Sequence, residues 1–187
     1  MTDHITTKNI TADDVAARGI HNAPQEIVNG EWIEKTEMAG QEHSLIGGNL
    51  FAALRQFVKQ HRLGRVYGDN LNYVLEGTPG KIITQRIPDV SFVAVDRASE
   101  RGEKGFYYLA PDLAVEIVSP SETKKDTVEK IADYLRFGTQ QVWVIDPDTK
   151  QITVYFPNGS TQVYHDTLLG GDVLPGFEVS IASLFEE

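Results

Sequence analysis

Two acidic residues stand beside or inside apolar runs that have the composition of buried β-strands. Asp89 comes directly before the run 90–95, and Glu116 interrupts the run 113–118. A carboxylate buried in such a strand is costly unless it is paired, neutralised or bound to a cation. The two runs therefore predict a fold with buried central strands and a metal site where these strands meet.

The two carboxylates can converge if their strands pair, because neighbouring strands lie about 4.8 Å apart. At about 4 Å two like charges repel each other by roughly 4 kcal/mol at an effective dielectric constant of about 20, and a divalent cation removes this repulsion. Mg²⁺ or Mn²⁺ suits such oxygen ligands, and the backbone carbonyl of Ile117 can add a further one. As alternatives, Asp89 is an acid in a turn at a strand edge, and Glu116 is the partner of a salt bridge.

The predicted elements follow one another in an order typical of mixed α/β proteins. Apolar residues at helical spacing predict a long helix at 41–61, and Asn29-Gly30 is a strong signal for a hairpin turn. The other predictions are a helix at 11–17 capped by Thr11 with Asp14 at the capping-box position, an N-terminal hairpin at 25–36, strands at 65–75, 81–85, 90–95, 113–118 and 141–145, a helix capped by Ser121 that ends near Gly138, and a C-terminal hairpin at 152–164. We expect one domain over 11–187, after a disordered or frayed segment 1–10.

The composition is that of a folded cytoplasmic domain. Of the 187 residues, 41% are hydrophobic and 24% are charged, so one substantial core is expected. The absence of cysteine excludes disulfides and thiolate metal sites. The sequence has no run of about 18 apolar residues that would cross a membrane. The N-terminus also lacks the pattern of a signal peptide.

The formal net charge of −10 weighs against a non-specific DNA-binding protein, because phosphate contacts need clustered Lys and Arg. It does not exclude a nuclease, since metal ions neutralise acid locally and a short basic strip can contact DNA. Two such strips are candidates, with ordinary solvated surface as the alternative: Lys59, Arg62 and Arg65, and Arg97, Arg101 and Lys104.

Several segments, in a fixed order along the chain, carry a resemblance to a known family. They are Asn29-Gly30-Glu31, Glu42-His43-Ser44, Pro88-Asp89, Glu116 to Pro120, the series Asp126, Lys130 and Tyr134, and Trp143 to Pro147. The chain resembles the PD-(D/E)XK phosphodiesterase superfamily and, more closely, the bacterial Uma-two family of restriction-endonuclease-like proteins. The resemblance implies a restriction-endonuclease-like core, a central mixed β-sheet flanked by helices, and metal-dependent hydrolysis of DNA that leaves a 5′-phosphate.

The position of the active-site lysine departs from the superfamily pattern. The pattern has a lysine two residues after the acid, and here that position is Val118. The resemblance to the Uma-two family implies that the lysine has moved to the following helix, where Lys130 matches it and Lys124 and Lys125 are rivals. A lysine suits the role because its charge stabilises a pentacovalent phosphate and because its pKa can fall on burial.

Helical spacing leaves the environment of this lysine open. Asp126, Lys130 and Tyr134 lie on one stripe, and the Lys-x-x-x-Tyr spacing is similar to a Gln-x-x-x-Tyr pattern near the active site of related recombination nucleases. The apolar stripe of the same helix lies roughly opposite; it consists of Val128, Ile131, Ala132 and Leu135. Either the helix is covered on two faces, or Lys130 is a solvated surface residue paired with Asp126.

Three further side chains complete the predicted active site. The resemblance implies that Glu31 is a metal ligand or a water-orienting base; alternatively, it is a solvent-facing acid of the hairpin. His43 lies on the inward face of the long helix and contacts metal, water or phosphate, or is a simple polar residue at a helix start. Tyr134 belongs to the active-site series, although the rings of Tyr134 and Trp143 are predicted to lie in the core rather than to stack on nucleotides.

We expect a homodimer, because two sites most simply cut both strands of a duplex and this domain carries one. The C-terminal hairpin is the candidate interface, since alternation gives it two apolar faces. The alternatives to a DNA endonuclease are a non-catalytic binding or scaffold protein with the same fold, and a phosphodiesterase that acts on RNA or small nucleotides.

Overall fold

The structure is a computed structural model, and it describes residues 9–19, 25–34, 40–69, 71–98, 106–120 and 122–187. Residues 1–8 of the predicted frayed segment lie outside the described residues, as do Ser121, Arg101 and Lys104. Ile10, by contrast, accepts a hydrogen bond from the backbone N–H of Ile82 at 2.8 Å.

The described chain contains both helices and strands, in the order of a mixed α/β protein. The helices are α1 Ala12–Gly19, α2 Gln41–His61 and α3 Lys124–Arg136, with a short 3₁₀ helix at Ala182–Phe185. The strands are β1 Gln25–Val28, β2 Glu31–Glu34, β3 Gly64–Tyr67, β4 Asn72–Thr78, β5 Lys81–Arg86, β6 Val90–Ala94, β7 Phe106–Tyr107, β8 Leu113–Ile117, β9 Gln141–Asp146, β10 Gln151–Tyr155, β11 Thr161–Tyr164, β12 Thr167–Leu169 and β13 Glu178–Ser180.

A six-stranded mixed sheet forms the centre of the fold, in the order β11-β10-β9-β8-β6-β3. Strands β8 and β9 run parallel, and α3 provides the crossover that a parallel pair needs. Val115 and Ile117 of β8 share a core with α2, whereas Ala114 packs with Ile131 and Tyr134 of α3. Because successive side chains of a strand point to opposite faces, Glu116 lies on the face that α3 covers.

A second sheet has the order β2-β1-β5-β4-β7 and carries the N-terminal hairpin. The hairpin turn has positive φ at Asn29 and Gly30, of 52° and 79°, as the sequence predicts. The chain leaves this sheet at Arg86 and enters the six-stranded sheet at Val90. Asp89 therefore lies at the junction of the two sheets.

The mixed α/β fold is confirmed, and so is the C-terminal hairpin of β10 and β11. The predicted strand 65–75 is wrong, because β3 and β4 are separate strands in different sheets. The chain passes from the six-stranded sheet to the second sheet between Tyr67, the last residue of β3, and Asn72, the first residue of β4. Within the described part of the chain, no helix is long and apolar enough to cross a membrane.

The helix ends show which capping predictions hold. Thr11 and Asp14 form the predicted capping interaction, with the Thr11 hydroxyl donating to the Asp14 carboxylate at 2.6 Å. Helix α3 is capped by Thr123, not by Ser121 as the sequence suggested. Thr123 and Asp126 complete a capping box, because each side chain accepts a hydrogen bond from the backbone N–H of the other residue.

Candidate active site

Glu116 is held in the middle of the six-stranded sheet by two side chains of α3. The residue is 1% exposed. Its Oε2 accepts a hydrogen bond from Lys130 Nζ at 2.9 Å, and its Oε1 accepts one from the Tyr134 hydroxyl at 2.9 Å. The two donors stand four residues apart and so project from the same helix face. Both carboxylate oxygens of Glu116 are thereby satisfied in a buried place.

Lys130 is buried and contacts two carboxylates at once. Its Nζ lies 2.9 Å from Glu116 Oε2 and 2.6 Å from Glu122 Oε1. Burial by itself lowers the pKa of Lys130, but the charges of Glu116, Glu26 and Glu122 outweigh it and raise the pKa above its usual value. The sequence suggested a pKa lowered by burial, and the neighbouring carboxylates reverse that direction. Lys130 is therefore a stable cation rather than a proton acceptor.

Tyr134 is fully buried, and its hydroxyl donates a hydrogen bond to Glu116. Its ring therefore cannot stack on a nucleotide at the surface. Burial raises the pKa of Tyr134 well above its usual value, and the charge of Glu116 raises it further. The phenol thus remains a neutral hydrogen-bond donor. Trp143 is also fully buried, stacks on Phe177 and donates to Gln141 Oε1, as expected of a core residue.

The predicted apolar stripe of α3 is wrong in part. Val128 is 62% exposed and Ala132 is exposed, whereas the buried residues of the helix are Lys130, Ile131 and Tyr134. The helix turns this mixed face inward because β8 offers it the buried Glu116 as an ion-pair partner. The alternative in which Lys130 is a surface residue paired with Asp126 is likewise wrong, since the Asp126 carboxylate caps the helix through Thr123.

Asp89 is fixed against the backbone of β8, at the residues on either side of Glu116. Its Oδ2 accepts a hydrogen bond from the N–H of Ile117 at 2.7 Å, and its own N–H donates to the carbonyl of Val115 at 3.0 Å. His43 Nε2 of α2 lies 3.2 Å from the same Asp89 Oδ2. Asp89 therefore reaches the end of β8 from the side of α2, whereas Glu116 faces α3.

A cleft of about 350 Å³ opens beside Asp89 and His43. Its wall on α2 includes Gly47 and Gly48, and its other side includes Asp69, which follows β3. A Cβ at Gly48 would meet open space, so this part of the helix presents backbone to the cleft. The volume lies in the range of about 300–1,000 Å³ that small-molecule sites occupy. The cleft beside Asp89 is therefore large enough to be a candidate ligand site.

A second buried ion-pair group adjoins the Lys130–Glu116 pair, and the sequence patterns did not indicate it. Arg86 NH1 lies 2.8 Å from Glu26 Oε2, and Arg86 NH2 lies 2.6 Å from Asp133 Oδ2 of α3. Glu26 Oε1 also accepts from the N–H of Ile87, two residues before Asp89. Burial by itself lowers the pKa of Arg86, but Glu26 and Asp133 raise it above its usual value. The sequence signal for this group is Glu26, an acid within the short predicted strand before Asn29-Gly30. It was not used, because the turn at Asn29-Gly30 was the stronger pattern in this segment.

The remaining predicted residues lie apart from these buried contacts. Glu31 is exposed on the N-terminal hairpin, opposite Val28. Ile117 contributes its backbone N–H to Asp89, and its side chain lies in the core. Lys124 and Lys125 are exposed in the first turn of α3, so Lys130 is the lysine that the structure brings to Glu116.

The carboxylate oxygens of Asp89 and Glu116 are suitable ligands for a divalent cation, but the described residues do not form a complete set of metal ligands. Among the described residues, no group of three or more His, Asp and Glu side chains is arranged to hold a metal ion. Carboxylate oxygens are nevertheless the ligands that Mg²⁺ prefers. The buried ion-pair groups also carry more negative than positive charge: the acids are Glu26, Glu116, Glu122 and Asp133, and the cations are Arg86 and Lys130.

Comparison with known proteins gives a consistent assignment. The model of the family Uma2, described as "Putative restriction endonuclease", matches residues 21–182. A crystal structure of a putative nuclease belonging to DUF820 from Anabaena variabilis ATCC 29413 is similar, with 26% sequence identity and a TM-score of 0.76, and the match covers 94% of this chain and 97% of that one. A search of curated proteins finds no match. The resemblance predicted from the sequence is confirmed, and the chain belongs to the Uma2 family.

Proposed function

We propose that this protein is a metal-dependent endonuclease that hydrolyses phosphodiester bonds in DNA. The observation that supports it best is the buried contact of Glu116 with Lys130 and Tyr134. Asp89, which lines an open cleft, accepts a hydrogen bond from the backbone N–H of Ile117, the residue after Glu116. Acids that can hold a metal ion, together with a cation, suit phosphodiester hydrolysis. The family match supports the nuclease class.

Asp89 and Glu116 would hold Mg²⁺ or Mn²⁺, with the Ile117 carbonyl as a further candidate ligand. The chemistry supplied by such an ion is polarisation of a phosphate oxygen and acidification of a nearby water. The hydrogen bond from Ile117 N–H fixes one oxygen of Asp89, so this carboxylate is preoriented. Pre-oriented charges stabilise a transition state without reorganisation at the moment of reaction.

Lys130 would stabilise the negative charge that develops on the phosphate. Its raised pKa keeps the ammonium protonated, so it acts as a cation and not as the base. Tyr134 holds the carboxylate of Glu116 from the other side. His43 lines the cleft, and its Nε2 lies 3.2 Å from Asp89 Oδ2, so we propose it as a candidate for proton exchange with water or phosphate. Glu31 remains a proposed water-orienting residue on the exposed hairpin.

Two observations favour a non-catalytic binding protein as the second candidate. Glu116 is 1% exposed and Lys130 is 6% exposed, so substrate reaches both only after neighbouring groups move. The net charge of −10 also disfavours tight contact with DNA backbones. A phosphodiesterase acting on RNA or a small nucleotide is the remaining alternative, and the modest volume of the cleft suits a single nucleotide.

We also propose that the active form is a homodimer assembled through the C-terminal hairpin. Strand β11 lies at the edge of the six-stranded sheet, and its Val163 is 47% exposed. Ile152 and Val154 of β10 are buried in the core, so one face of the hairpin is already covered. The open edge and the outer face remain available to a second chain.

A cleavage assay tests the proposed activity. Wild type and Glu116→Gln are incubated with plasmid DNA, single-stranded DNA and RNA, in Mg²⁺, in Mn²⁺ and in a chelator. We expect metal-dependent cutting of DNA by the wild type and products with 5′-phosphate ends. The variant should lose activity by roughly a hundredfold, because Glu116 is a proposed ligand of the metal ion. Metal-independent cutting, cutting of RNA alone, or equal rates of both proteins would each contradict the proposal.

A further inference from the structure

The ammonium of Lys130 has an inner and an outer anionic partner. The inner one is Glu116 Oε2 at 2.9 Å, whose side chain is 2% exposed. The outer one is Glu122 Oε1 at 2.6 Å, whose side chain is 13% exposed. Glu122 belongs to the irregular segment before α3, where its N–H donates to the Ser119 carbonyl. The more exposed side of the Lys130 charge is thus covered by a residue outside the regular elements.

We propose that Glu122 is an internal competitor of the substrate phosphate for Lys130. This inference rests on the proposed function, in which Lys130 binds the phosphate. A carboxylate and a phosphate both present anionic oxygens that accept charge-assisted hydrogen bonds from an ammonium. Glu122 then occupies one of the positions of a phosphate oxygen, and it must leave before Lys130 contacts substrate.

The surroundings of Glu122 support its role as the partner that leaves. Glu116 is anchored twice, by Lys130 and by Tyr134, and lies within a central strand. Glu122 is anchored by Lys130 from a segment without strand or helix pairing. Releasing Glu122 exposes its carboxylate to water, whereas releasing Glu116 would leave a buried charge uncompensated, which is far more costly.

The competition sets the affinity of the site for anions. While Glu122 is in place, an incoming phosphate must displace a charge-assisted contact before it makes its own. Removing the charge of Glu122 eliminates this competitor and leaves the Lys130–Glu116 pair intact. Phosphate binding should therefore become tighter in the variant, with the largest kinetic effect on KM rather than on kcat.

The test measures binding without catalysis. Fluorescence anisotropy of a short fluorescein-labelled DNA strand is recorded in a chelator, with Glu122→Gln and with Glu129→Gln as the matched control. Glu129 is an acid of α3 that is 51% exposed and pairs only at 3.6 Å with Lys125, so both variants remove one negative charge from the same region. We expect Glu122→Gln to bind about tenfold more tightly than Glu129→Gln, a difference of about 1.4 kcal/mol.

Two further experiments decide the cause of the effect. In a Lys130→Met background the additional Glu122→Gln change should give no gain; a gain that persists there would overturn the proposal. Calorimetric titration with Mn²⁺ should give equal affinities for wild type and Glu122→Gln, whereas a loss as large as in Glu116→Gln would make Glu122 a metal ligand and overturn it. Equal DNA affinities of Glu122→Gln and Glu129→Gln would refute the inference whether or not the wild type cuts DNA.

Discussion

The carboxylate of Glu116 shows how a single acidic residue can lie in a central strand. Two donors from one helix face satisfy both oxygens, and one of these donors carries a charge. Tyr134 is a neutral donor that satisfies one oxygen of Glu116. Lys130 satisfies the other oxygen and also compensates the negative charge of the carboxylate. Loss of either partner leaves a polar atom of Glu116 buried without its hydrogen bond.

The Tyr134→Phe variant tests the neutral donor. Removing the hydroxyl leaves Glu116 Oε1 without this donor, so we expect the free energy of unfolding to fall by about 1–3 kcal/mol. Urea denaturation measures it. Tyr155→Phe is the control, because Tyr155 is a half-buried tyrosine of β10. Equal stabilities of the two variants would show that the Tyr134–Glu116 contact contributes nothing.

At the scale of single residues, the sequence indicated candidate residues but not their surroundings. Asp89 and Glu116 could be named from their apolar context and from the resemblance to a family, whereas Lys130 was named from the resemblance. The direction of the Lys130 pKa shift could not be predicted, since it depends on Glu116, Glu26 and Glu122, whose charges come close to Lys130 through tertiary folding. Whether Asp89 and Glu116 bind metal stays a prediction.

Arg86 connects three elements around the candidate site. It joins Glu26 of β1 to Asp133 of α3, and it stands itself on β5. The helix that carries Lys130 and Tyr134 is thereby fixed to the second sheet as well as to β8. The same contacts lie close to Asp89, since Glu26 also accepts from the N–H of Ile87.

The Arg86→Met variant measures this connection. It leaves the carboxylate of Glu26 buried without its cation, so we expect a loss of about 3–5 kcal/mol in the free energy of unfolding. Chemical denaturation checks it, with Arg55→Met on the exposed face of α2 as the control. Adding Glu26→Gln should restore part of the loss. If the double variant is no more stable than Arg86→Met, the Glu26–Arg86 pair is not the source of the effect.

Element boundaries could be predicted where local signals determine them. The bounds of α2 follow from its apolar spacing, and the first hairpin follows from Asn29-Gly30. The assignment of β3 and β4 to two sheets could not be predicted, because strand pairing is a long-range property that neither run contains alone. The buried face of α3 was mispredicted for a related reason: its partner is an acid on β8, and hydrophobic spacing does not detect an ion pair.

For the whole molecule, the pKa directions predict loss of stability in alkali. The folded-state pKa values of Lys130, Tyr134 and Tyr73 lie above their usual values. Their contribution to the free energy of unfolding is complete below the pKa values of the unfolded chain, about 10 for Tyr and about 10.4 for Lys. This contribution is lost as the pH rises from there toward the higher pKa values of the folded protein. We expect the free energy of unfolding to fall by about 1.4 kcal/mol per pH unit for each group.

Urea denaturation between about pH 9 and about pH 12 measures this dependence. The slope for Tyr134→Phe should be smaller than that for the wild type by about 1.4 kcal/mol per pH unit, because one such group is removed. An unchanged slope would mean that Tyr134 ionises equally readily in the folded and the unfolded protein.

Light scattering tests the proposed dimer. We expect a mass of twice the single-chain value of 20.8 kDa at micromolar concentration. Val163→Lys on the edge strand β11 should shift the mass toward that of one chain, because a charge at a sheet edge opposes pairing. A wild-type mass near 20.8 kDa would refute the dimer.

The central claim is that Lys130 supplies the positive charge for phosphodiester cleavage beside Asp89 and Glu116. The most direct measurement is the single-turnover rate of DNA cleavage by wild type, Lys130→Met, Lys124→Met and Lys125→Met, after urea denaturation has shown that each variant is folded at the assay temperature. We predict a loss of at least about a hundredfold for Lys130→Met and wild-type rates for the other two variants. A folded Lys130→Met protein that cuts DNA at the wild-type rate would contradict the account.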